Sequence, residues 1–95
     1  NKENGFNGFV NGMLYISKAF FPKSTIEILD QSETSIKFRI VFVPEFIKSF
    51  PNYNVTFDEY FEFWNGITVI IGEYMGAEYT QELKGDTLYV TIMKK

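Results

Sequence analysis

Ninety-five residues with 12 acidic and nine basic side chains, no cysteine and no histidine describe one small acidic domain with room for a single core. The missing histidine removes the commonest metal and haem ligand, the usual base of a nucleophilic triad and the side chain that titrates near neutral pH, while zero cysteine removes disulfides and thiol chemistry. A net charge of −3 with dispersed basic residues lacks the phosphate-neutralising field of a nucleic-acid binder, and the apolar runs are too short for membrane insertion.

The first element is a helix over residues 6 to 21, where Phe6, Phe9, Val10, Met13, Ile16, Phe20 and Phe21 recur at spacings of three and four, the stripe of a half-buried helix. Pro22 stops it. Thr25 to Leu29 and Ile36 to Val43 read as strands around a polar turn, Asp30-Gln31-Ser32-Glu33-Thr34. The second strand alternates, with Ile36, Phe38, Ile40 and Phe42 on one face and Lys37 and Arg39 on the wet one. Pro44 to Pro51 is a bounded segment holding one helical turn on Phe46, Ile47 and Phe50.

Thr56 and Glu59 form a capping box and start the second long helix. Its predicted stripe is Phe57, Tyr60, Phe61, Trp64, Ile67, Ile71, Tyr74 and Met75, ending at Gly76. The run Ile67-Thr68-Val69-Ile70-Ile71 is β-branched and by propensity alone suggests a strand. Ala77 to Leu83 and Thr87 to Met93 then make a tight hairpin around Lys84-Gly85-Asp86, with Leu88, Val90 and Ile92 on one face.

Phe9-Val10-Asn11-Gly12 is echoed 54 residues later by Phe63-Trp64-Asn65-Gly66, and Ile16, Phe20 and Leu29 by Ile70, Tyr74 and Leu83. The echo places the β-branched run in a helix, since its counterpart Met13-Leu14-Tyr15-Ile16-Ser17 is a good helical stretch. The expected fold is α+β: a two-layer sandwich in which a helix-hairpin unit is used twice (αββαββ), with a four-stranded antiparallel sheet and the helices on one face. The units are about residues 5–43 and 56–94, joined by a linker over 44–55, in a single domain 1–95. One detail resists the echo, because Ile26 and Ile28 fall on Thr80 and Glu82; a parity-flipping bulge in the third strand, or a weaker duplication there, would account for it.

The helix ending in Phe20-Phe21-Pro22, the hairpin, the linker and the amphipathic helix ending near Gly72 to Gly76 before a closing hairpin resemble, over residues 9 to 93, the C-terminal half of haem NO/O2-binding (H-NOX) domains and their haem-free relatives. The resemblance implies a sensory or signal-relay module. In that family the first of these helices supplies the proximal histidine, and the equivalent position here is at or beside Leu14. The family's Tyr-x-Ser-x-Arg, which holds the haem propionates, corresponds to Ile40, Phe42 and Pro44. None of these can serve haem, so the resemblance implies a member without cofactor.

No constellation points to catalysis or to a metal site. Asp58, Glu59 and Glu62 read as first-turn acids favoured by the helix dipole, Asn54-Val55-Thr56 as a loop leading into the Thr56 cap, and Glu27, Glu78 and Glu82 opposite Lys37 and Arg39 as cross-strand pairs on the wet sheet face. Tyr15, Phe63 and Tyr89 fall off the main stripes and are interface candidates; Trp64 and Tyr74 are candidates for a ligand groove. Ordering this chain costs about as much as burying its apolar side chains returns, so nearly all of them are expected in the core. The reading is a non-enzymatic cytoplasmic regulatory domain, cut from a longer protein since it starts at Asn1, that binds a small apolar ligand or a protein partner and passes a shift to an attached output domain. The alternative is a homodimerisation module without ligand.

Overall fold

A computed structural model describes residues 5–95. Helix α1 (Gly5–Phe20) leads into strands β1 (Thr25–Gln31) and β2 (Ser35–Val41), then a short helix α2 (Pro44–Lys48) with a 3-10 turn (Phe50–Tyr53), then helix α3 (Phe57–Tyr74) and strands β3 (Ala77–Lys84) and β4 (Thr87–Lys94). The fold is α+β, and its four strands form one antiparallel sheet in the order β1-β2-β4-β3. The hairpins therefore sit side by side, with β2 against β4 at the centre.

Local chemistry explains the boundaries. Thr56 Oγ1 accepts from the Glu59 N–H (3.0 Å) while the Thr56 N–H donates to Glu59 Oε1 (2.9 Å). Both halves of the capping box are made, so α3 begins at Phe57 with Thr56 as its cap. The run Ile67 to Ile71 lies inside α3. Packing of the helix's apolar arc on the sheet outweighs the weak strand preference of its β-branched side chains. Gly76, at φ +76°, ends α3 in the left-handed conformation that glycine adopts without steric cost. The first turn is shorter than expected: Asp30 and Gln31 belong to β1, and Ser32 Oγ closes a three-residue loop by accepting from the N–H groups of Thr34 and Ser35.

Alternation decides which face of the sheet is covered. Ile36, Phe38 and Ile40 of β2, Leu88, Val90 and Ile92 of β4, and Ala77 and Tyr79 of β3 are buried together with Phe6, Phe9, Val10 and Met13 of α1 and Phe61 of α3. At one end of this core an aromatic cluster ties the elements together: the Phe21 ring lies 5.1 Å from Phe42, 5.2 Å from Phe46, 5.7 Å from Phe61 and 5.3 Å from Trp64. Edge-on and tilted pairs of this kind add to what burial alone contributes.

Of the two explanations offered for the third strand, a bulge or a weaker duplication there, the bulge is absent; β3 pairs with β4 without interruption. A bulge lies in β1 instead, where Ile28 opposes Phe38 and Asp30 opposes Lys37, leaving Leu29 as an extra residue. β1 is also poorly covered, with Ile28 and Leu29 about half exposed. On the open face, Glu27 pairs with Arg39 (3.0 Å), whereas Glu82 pairs with Lys84 on its own strand (2.9 Å). Glu78 and Glu82 cannot reach Lys37 or Arg39, because β4 stands between β3 and β2.

Candidate functional site

The two long helices run antiparallel across the sheet and approach each other at two places. At one end the Phe20 ring meets Trp64 at 6.0 Å. At the other, Gly5 lies so close to the Met75 carbonyl that a Cβ there would collide with it, and Gly72 lies between the Phe9 ring and the Ala77 carbonyl. Between these contacts the helices are separated by a trough of about 550 Å³.

The trough has two glycines on one wall and only large side chains on the other. Gly8, Gly12, Ile16 and Phe20 form the α1 wall; Tyr60, Phe63, Trp64, Ile67 and Ile71 form the α3 wall. Phe9, Met13 and Thr68, all buried, make the floor. Among the described residues nothing lies within 4 Å of the position a Gly12 Cβ would take, so glycine keeps this wall low.

Its chemistry is almost wholly apolar. Thr68 Oγ1 already donates to the Trp64 carbonyl at 2.6 Å. Below the helices, Gln81 Nε2 donates to the Phe61 carbonyl (2.7 Å) and Gln81 Oε1 accepts from the Tyr79 hydroxyl (2.7 Å), which fastens α3 to β3. Burial pushes the Tyr79 hydroxyl well above the usual tyrosine pKa, and the nearby Trp64 pulls it partly back. Trp64 Nε1 is buried yet, among the described residues, falls outside hydrogen-bonding geometry with any partner. Burial also raises the Tyr60 pKa. Such a trough can hold hydrocarbon or an apolar side chain.

The five candidate residues divide. Trp64 lines the trough and is partly buried, while Phe63, at 70% exposure, forms its rim. Tyr15 and Tyr74, at 76% and 78% exposure, stand on α1 and α3 in solvent. For Tyr74 this corrects the expected stripe: Ile67, Ile71 and Tyr74 are all substantially exposed, because α3 covers the sheet with a narrower arc than its apolar residues span. Tyr89 belongs elsewhere, on the opposite face of the sheet, half-buried beside the Lys84 ammonium at 5.7 Å from its ring centre. The expectation that nearly every apolar side chain is needed in the core fails on the same helices.

Sequence reading missed Gly8, Gly12, Ile16, Ile67, Ile70 and Ile71 as members of a surface. The signal was present in the breadth of the pattern, since α3 carries Phe63, Ile67, Ile70 and Tyr74 beyond the arc that faces the sheet. Among the described residues no group of acidic side chains is arranged to hold a metal ion, and no helix is long and apolar enough to cross a membrane. No protein family, curated protein or solved structure matches the chain.

Proposed function

We propose that this chain is a non-enzymatic sensory or signal-relay domain that works through the outer face of α1 and α3, taking an apolar ligand or partner there and passing the resulting shift to an attached output domain. The observation that carries this reading is the trough itself. It is an open, apolar space lined by the protein's single tryptophan, between two helices that approach each other on either side of it. An occupant can spread or close helices held in this way, and a relay needs no more than unequal affinity for two such arrangements.

Kinship to a haem-free H-NOX C-terminal subdomain belongs to the same proposal. It is supported by the order of helix, hairpin, helix and hairpin and by the use made of the positions that would serve haem. Ile40 and Phe42 are buried in the core and Leu14 packs against it, so these residues hold the fold together.

Duplication of one helix-hairpin unit is likewise proposed. Phe38 and Val90, 52 residues apart, stand directly opposite each other between β2 and β4, flanked by the pairs Ile36 with Ile92 and Ile40 with Leu88. That is the arrangement two copies related by a two-fold axis would give. The Leu29 bulge supplies the missing step, since Gln31 corresponds to Leu83 on one side of it and Ile26 to Tyr79 on the other.

The test of the trough is a titration with dodecanol at low protein concentration, followed by Trp64 emission. Saturable binding that is lost in Ile67→Glu is expected. Emission that does not respond, or a response unaffected by Ile67→Glu, would sink the reading, and stoichiometric haem with a Soret band in the purified protein would remove the haem-free assignment.

A further inference from the structure

We infer that the occupant of this face is a second copy of the same chain, with the α3 ridge of each protomer seated in the trough of the other. The inference rests on the reading that the outer helical face is the working surface, and it names the partner.

Small ligands account for only part of that face. A molecule lying in the trough covers Ile16, Ile67 and Ile71, but Tyr15, Ile70 and Tyr74 stand outside it, at 76%, 70% and 78% exposure. Covering these together with the trough takes a macromolecular surface.

The area fits one particular kind of partner. With roughly 200 Å² for each aromatic side chain and ~150 Å² for each isoleucine, the exposed parts of Tyr15, Ile16, Phe20, Phe63, Ile67, Ile70, Ile71 and Tyr74 amount to about 900 Å². A typical monomer's largest apolar patch is ~300–600 Å². A stable dimer of standard size buries about 800 Å² on each partner. The patch is therefore too large for an ordinary monomer surface and large enough for one half of a dimer.

Shape and charge select the second copy. One face carries both a ridge, formed by Phe63, Ile70 and Tyr74 on α3, and a hollow beside it whose low wall is Gly8 and Gly12. A two-fold axis places each ridge over the other protomer's hollow, which is how a self-complementary interface closes on itself. Among the described residues no acidic or basic side chain lines the trough, so self-docking sets none of their like charges against each other at its centre.

Sedimentation equilibrium over about 1 µM to 1 mM, where interfaces of moderate affinity dissociate, tests this. The expected result is a rise from 11.1 kDa to twice that mass, with Trp64 emission moving to shorter wavelength along the same curve. Ile70→Glu and Phe63→Glu should each raise the midpoint concentration at least about tenfold, with a thermal midpoint unchanged at concentrations where both proteins are monomeric to show that the fold is intact. Tyr89→Glu, on the far side of the sheet, should leave the curve where it is. A monomer throughout that still binds dodecanol would overturn the inference and leave the ligand reading standing; a monomer that binds nothing would remove both. A dimer dispersed by Tyr89→Glu and indifferent to Ile70→Glu would also overturn it.

Discussion

The two sides of α3 carry the same kinds of side chain and meet opposite environments. Phe61, on the sheet side, is 1% exposed; Phe63, two residues on and across the helix, is 70% exposed. Thr68 and Gly72 are buried below while Ile67, Ile70, Ile71 and Tyr74 face water above. The difference lies in the sheet, which covers one arc of the helix, whereas the apolar composition extends well past that arc. A helix that merely roofs a sheet can carry polar residues on its outer side without loss to the core. The apolar composition of α3 thus extends beyond what covering the sheet requires.

Paired substitutions break or sharpen this contrast. The largest effect is expected from Phe61→Ala, which empties a fully buried aromatic site and should cost about 3–5 kcal/mol, whereas Phe63→Ala should stay within about 0.5 kcal/mol. At about 4–8 °C per kcal/mol for a domain of this size, thermal melts separate the two without ambiguity, and equal losses would refute the assignment of sides. A smaller contrast uses glycines. A Cβ on Gly72 would lie 3.2 Å from Phe9 Cζ and 3.3 Å from the Ala77 carbonyl, while one on Gly66 meets nothing within 4 Å. Gly72→Ala should thus lose about 1–2 kcal/mol after its gain in helix propensity, and Gly66→Ala should gain ~0.5–1 kcal/mol. Urea midpoints measured on dilute protein read both. Thr56→Ala, which removes the side-chain half of the capping box, should cost ~1 kcal/mol by the same measurement.

Much of this architecture is legible in the chain. Thr56 and Glu59 announce the start of α3, the alternation of Ile36, Phe38 and Ile40 fixes the inward face of β2, and the echo of residues 13–17 identifies Ile67 to Ile71 as helical. Those signals are local or rest on periodicity. What escaped depends on the partner element. The Leu29 bulge exists only relative to the register of β2. The exposure of Ile67, Ile71 and Tyr74 depends on how wide a sheet the helix must cover, which no helical wheel contains. The depth of the trough depends on the absence of side chains at Gly8 and Gly12, and absence leaves little mark in a hydrophobic pattern. Of the five candidate residues, four do share the helical layer, but Tyr89 was grouped with them only because it fell off a stripe.

The smallest effect concerns carboxylates at the two ends of α3. The Glu59 carboxyl is held below the ordinary glutamate value of 4.5 by the Thr56 backbone N–H first and its hydroxyl second, and the Glu73 carboxyl is held low by Lys95, whose ammonium lies 2.8 Å away. A carboxylate with a depressed folded-state pKa contributes stability that is fully present above its unfolded value and is lost as the pH falls through the folded one. With no histidine in the chain, stability should be flat from about pH 8 to 5 and should decline below that. Glu59→Gln keeps an acceptor for the Thr56 N–H while removing the titrating charge, so the variant should be somewhat less stable near neutrality and show a shallower acid decline. Both groups are at the surface, where screening keeps such contributions small, and urea midpoints at closely spaced pH values are the suitable measurement. An acid decline of the same depth in wild type and Glu59→Gln would mean that the capping carboxylate is not linked to folding.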